Sequence, residues 1–123
     1  MVNEADVVDK GIIDNNVEYV SLIRHEMSRN YHSLRIEGSV DVKNCDCNRY
    51  MPILILDIKD VVWHRFDIGC NNGDTTNFQT VNFNYELACP IDKSLKGKTL
   101  KLYFWNNDKG AAAFENADVK VLY

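Results

Sequence analysis

The sequence has no apolar run near the roughly 18 residues that a membrane-crossing helix needs. Its longest, MPILIL at 51–56, has the length of a buried strand. The opening MVNEADVVDKG lacks a basic stretch followed by an apolar one, so it does not read as a signal peptide. A cytosolic chain and an excised domain with a new start Met both fit this. There is no basic excess either. The formal charge is -4, and residues 1–20 carry five carboxylates (Glu4, Asp6, Asp9, Asp14, Glu18) against Lys10 alone, so the remainder is balanced. A nucleic-acid binder would show a basic stripe, so nucleic acid is not an expected partner. Repeats and low-complexity segments are absent.

Catalytic signatures are missing as well. His25, His32 and His64 are scattered, and no Ser or Cys sits in a nucleophile elbow. There is no H-x-x-x-H metal spacing, and NNGDTT at 71–76 is a turn by composition rather than a phosphate loop. A glycosidase needs two carboxylates across a cleft. Glu37 and Glu86 read instead as outward strand acids, so an enzyme is not expected. The four cysteines, Cys45, Cys47, Cys70 and Cys89, do not match common zinc spacings. A Cys45–Cys47 disulfide would close a strained ring. Free thiols are the plainer reading, and a Cys70–Cys89 bridge stays open for an oxidising compartment.

What is present is alternation. With 123 residues, 46% of them hydrophobic, the chain has enough apolar mass for one domain core and little room for a second. We therefore read 1–123 as a single domain, with 1–16 an edge or poorly ordered segment. LRIEGSVDV (34–42) alternates cleanly, with Leu34, Ile36, Gly38, Val40 and Val42 inward. ILILDI (53–58) reads as a central strand. Lys59 and Asp60 then turn the chain into VVWHRFDI (61–68), which closes a hairpin. FQTVNFNYEL (78–87), TLKLYFW (99–105) and FENADVKVL (114–122) complete the clear set, the last with Ala117, Val119, Val121 and Tyr123 on one face. VEYVSLIRHEM (17–27) fits a strand or a short helix, and Val17, Tyr19 and Val20 decide for strand. ADVVDKGII (5–13) adds a further strand. Seven or eight short strands with turns about every ten residues imply an all-β antiparallel sandwich of jelly-roll type.

One strand poses the functional question. In TLKLYFW, Leu100, Leu102 and Phe104 form a core face, which puts Tyr103 and Trp105 on the face that should meet water. Aromatic rings pack against the apolar side of a sugar, and amide side chains grip hydroxyls. Trp105, Tyr103, Asn106, Asn82, Asn84 and Glu86 form a candidate ligand set if strands 78–87 and 99–105 share a sheet. The competing reading packs Trp105 and Tyr103 beneath loops at 43–50 and 88–98, with Trp105 partly shielded and one ring edge open. Trp63 and Arg65 form either a second platform or a surface cation–aromatic stack.

GKTLKLYFWNNDKGAAAFENADVKV (97–121) and FQTVNFNYELACP (78–90), with EYVSLIRHEM and LRIEGSVDV as first core strands, resemble a known family. It is the jelly-roll, carbohydrate-binding-module-like (galactose-binding-like) domains appended to envelope and glycan-handling proteins of Bacteroidetes. The resemblance implies a non-catalytic accessory module that binds a glycan weakly. It also implies an extracytoplasmic setting at the periplasm or cell surface. A structural or protein-interaction domain on the same fold is the alternative. Two departures are visible: Phe78 stands where such domains often have Trp, and Glu115-Asn116 where they often have Asp-Asp. In related modules an acidic residue there helps hold a structural calcium, which makes Glu115 the implied ligand.

Overall fold

The computed structural model describes residues 7–14, 16–27, 34–44, 52–66, 77–87, 95–107 and 110–122. Among them are eight strands and no helix: β1 Gly11–Ile13, β2 Tyr19–Glu26, β3 Leu34–Asn44, β4 Ile53–Ile58, β5 Val62–Phe66, β6 Gln79–Leu87, β7 Thr99–Trp105 and β8 Ala112–Leu122. They form two antiparallel four-stranded sheets, ordered β1-β8-β3-β6 and β2-β7-β4-β5. Every strand pairs with partners distant in sequence except in the β4–β5 hairpin, which is the two-sheet order of a jelly roll. Within the 17–27 segment, Tyr19–Glu26 form strand β2, as its β-branched and aromatic residues favour. Of the expected strand over 5–13, the described residues 7–13 hold only the three-residue β1, and residues 5–6 lie outside the described residues.

Alternation sets the core. Leu34, Ile36, Val40 and Val42 of β3 face Leu54, Leu56 and Ile58 of β4 and Leu100, Leu102 and Phe104 of β7, and all are fully buried or nearly so. Phe104 and Phe114 meet across the two sheets with centroids 5.0 Å apart. At the open side, where edge strands β5 and β6 come together, His64 stacks on Tyr85 and Phe66, and Phe66 on Phe83.

Two bulges interrupt the period. In β2 the register with β7 shifts between Ser21 and Ile23, so that consecutive Leu22 and Ile23 are both buried. In β8 the register with β3 shifts opposite Ser39–Asp41, and Asn116 takes the left-handed conformation (φ 55°). This second bulge is pinned from three sides. Asn116 donates to Asp41 (2.9 Å), Thr80 donates to the other Asp41 oxygen (2.6 Å), and the Ala117 N–H bonds the Asp9 carbonyl (3.1 Å). The bulge moves the buried parity from even positions (Ala112, Phe114) to odd ones (Val119, Val121). Phe114 is thus a core residue that simple alternation from Val119 puts on the wrong face. Beside it, a Cβ at Gly38 would run into the Asp118 carbonyl oxygen, the Phe83 ring and the Val119 backbone, so only glycine fits.

Asp60 (φ 66°) makes the β4–β5 turn, closed by the Val61 N–H on the Ile58 carbonyl. Gly97 (φ 82°) turns the chain into β7 and ties it to the end of β2 through Met27. These turns fix which residues of β2, β4, β5 and β7 stand side by side on the outer face.

Candidate functional site

The outer face of the β2-β7-β4-β5 sheet reads in rows across the strands. Tyr19, Trp105 and Ile53 are in register in one row; Ser21, Tyr103, Ile55 and Arg65 in the next; Arg24, Lys101, Asp57 and Trp63 in the third. The outer face of an antiparallel sheet is ordinarily polar. Here Ile55, between Tyr103 and Arg65, is fully buried on the outer side, with Tyr103 and Trp105 half-buried beside it. The two aromatics of β7 therefore belong to a second, smaller apolar layer.

That layer has an exposed top. Trp63 is 53% exposed and Tyr19 56%. Trp63 stands edge-on to Trp105 with centroids 6.4 Å apart, and Tyr19 edge-on to Tyr103 at 5.6 Å. The Trp63 indole N–H donates to the Tyr103 hydroxyl. Burial raises the Tyr103 phenol above its ordinary value; the Trp63 bond opposes this and the nearby Asp57 charge adds to it. The hydroxyl is therefore protonated throughout the neutral range. The Trp105 indole nitrogen is buried with no acceptor among the described residues.

Beside the aromatics lies a groove of about 360 Å³ lined by Tyr19, Ser21, Arg24, Asp57, Lys101 and Tyr103. It combines two ring edges, three hydroxyls, one carboxylate and two cations, an inventory suited to a polyhydroxylated ligand.

Of the residues expected from sequence, Trp63, Arg65, Tyr103 and Trp105 do come together on this face. The others do not. Asn82, Asn84 and Glu86 lie on β6 in the opposite sheet, paired with Ser39, Glu37 and Arg35, so they share no surface with β7. Asn106 is 1% exposed, and its amide is spent on the carbonyls of Asp14 (3.2 Å), Val17 (3.1 Å) and Gly110 (2.7 Å). It clamps the chain where β7 ends and is not placed to meet a ligand. Glu115 is in register with Asp41, whose carboxylate is already taken by Thr80 and Asn116. Among the described residues no three His, Cys, Asp or Glu gather to hold a metal. Calcium wants six to eight oxygens, several of them charged, and the described surroundings of Glu115 do not supply that set. The cysteines and most of the loops at 43–50 and 88–98 lie outside the described residues.

No family model matches the chain, and no curated protein matches it. Among solved structures, it is similar to a family 35 carbohydrate-binding module from an environmental isolate. The likeness spans all of this chain and 82% of that one, at 14% identity and a TM-score of 0.47. No helix among the described residues is long and apolar enough to cross a membrane.

Sequence reading missed Tyr19, Ser21, Arg24, Asp57 and Lys101. Lys101 shares its phase with Tyr103 and was within reach. Arg24 was not, because the bulge at Leu22 changes which β2 residues face outward.

Proposed function

We propose that this protein is a non-catalytic module that binds carbohydrate weakly through the outer face of the β2-β7-β4-β5 sheet. The observation that carries the reading is the aromatic layer on a face where polar residues are the norm, with Trp63 half out in solvent and Tyr103 and Trp105 supporting it. A pyranose presents an apolar face to such rings and directs its hydroxyls outward. The Tyr103 hydroxyl, Ser21 and Asp57 stand at the rim to receive them. A shallow, open surface covers little of a ligand, which keeps affinity modest.

Trp63 gives the test. It sits on edge strand β5 with most of its ring outside the fold, so Trp63→Ala should leave the melting temperature within a few degrees of wild type. Glycan-array screening of the intact protein, followed by calorimetry on the retained glycan, should show affinity falling about tenfold or more in the variant, as stacking worth about 1.5 kcal/mol is lost. Unchanged affinity would move the site off this face. Retention of no glycan at all would overturn the reading.

A further inference from the structure

At one end of the same face the chemistry changes from aromatic to cationic. Arg24 and Lys101 are in direct cross-strand register, and Lys101 is in register with Asp57 on its other side. The groove already described runs on into a second of about 340 Å³, which shares Arg24, Asp57 and Lys101 with it and adds Lys59, Lys98 and Thr99. Four cations thus line a continuous track with a single carboxylate among them. Glu26, beyond Arg24 on β2, is in register with Thr99 and lines neither groove.

The Arg24–Lys101 pairing works against stability. Like charges directly opposite each other on a sheet repel. Among the described residues, Arg24, Lys59 and Lys101 have no carboxylate within ion-pair distance, while Arg35 has one in Glu37. The chain as a whole carries -4, so the concentration of positive charge on this track is local and does not follow from composition. No packing need explains it, because Arg24, Lys59 and Lys101 are exposed.

We propose that the track binds the anionic substituents of an acidic glycan, carboxylate or sulfate, while the aromatic layer holds its sugar rings. The inference rests on the carbohydrate-binding reading above and names the ligand class for it. Arg24 offers a planar fork that matches either anion, and Lys101 beside it adds a point charge. Asp57, between Lys101 and Trp63, accepts from sugar hydroxyls at the border of the two zones. The spread of cations over two connected grooves fits a chain with repeated charges better than a single charged sugar.

The experiment compares wild type with the double variant R24Q/K101Q on one array carrying neutral, uronate-bearing and sulfated glycans, plus a single-stranded DNA oligonucleotide. Wild type should retain acidic glycans above neutral ones. The variant should lose them by about tenfold or more, as expected when a charge-assisted contact is removed. Loss in the uronate series points to carboxylate, and loss in the sulfated series to sulfate. The melting temperature of the variant at low salt should stay within a few degrees of that of wild type, since the repulsion by Arg24 and the attraction by Asp57 are removed together. Equal retention of neutral and acidic glycans, unchanged in the variant, would overturn this inference and leave the carbohydrate reading standing. Retention of DNA as strongly as of acidic glycans would overturn it too, as plain attraction of polyanions. Retention of no glycan would remove both.

Discussion

Trp63 and Trp105 touch edge to face yet do different work. Trp63 is half exposed and spends its N–H on Tyr103; Trp105 is half-buried, and its own N–H is buried with no acceptor among the described residues. A buried donor without a partner costs about 1–3 kcal/mol. Trp105→Phe removes that cost along with part of the ring's buried area, and the two effects oppose each other. Urea unfolding should therefore show Trp105→Phe within about 1 kcal/mol of wild type, while Trp105→Ala loses about 2–4 kcal/mol. If Phe proves as damaging as Ala, the indole N–H has a partner that matters. Under the proposed function, this division gives Trp105 a supporting role and assigns the ligand contact to Trp63. Period-two alternation was enough to put both β7 aromatics on the outer side. It held no trace of what Asn106 does, because its amide is used up on carbonyls, two of them about 90 residues earlier in the chain.

At the scale of the strand, bulges decide what faces where. The β8 bulge holds Asp41 between Asn116 and Thr80, and those two hydrogen bonds, Asn116 first, lower the Asp41 carboxyl below its ordinary 3.8. A carboxyl depressed in the folded state adds stability above its unfolded value, and that stability is lost as pH falls through the folded value. Asp41→Ala should accordingly be less stable than wild type at pH 7, and the gap in urea midpoint should narrow as pH falls below the ordinary 3.8. Because Asp41 is only partly buried, solvent screens its charge and the gap is small; a gap constant with pH would mean that the charge contributes nothing. The strands themselves were readable. Ranges 53–58 and 99–105 match β4 and β7, and the inward faces of β3, β6 and β7 follow their alternation. Two kinds of information were not. A bulge is one extra residue, so Phe114 and Val119 share a face although their parity differs. Alternation also assigns a strand to a face but not to a neighbour. The grouping of Asn82, Asn84 and Glu86 with Tyr103 failed on strand order, since β6 and β7 are consecutive in sequence and lie in different sheets.

At the scale of the molecule, the two sheets are held together by side chains rather than by backbone, since each sheet satisfies its own ladder. Phe104 of β7 and Phe114 of β8 form the largest fully buried pair spanning that gap. Both sheets then depend on this contact, including the face proposed to bind sugar, which lies directly behind β7. Phe104→Ala should cost about 3–5 kcal/mol and lower the melting temperature by roughly 10 °C or more. A domain of this size has only about 5–15 kcal/mol in total, so the variant remains measurable in urea only if it starts well inside that range. The milder Phe104→Leu and Phe114→Leu keep most of the volume and permit a double-mutant cycle. Two aromatic rings 5.0 Å apart should show a coupling of about 0.5–1.5 kcal/mol. Coupling near zero would mean the rings do not meet across the sheets, and the sandwich packing at this end would need to be redrawn. Coupling in the expected range, with glycan affinity unchanged in both single variants, would separate the core that stabilises β7 from the outer face that β7 presents.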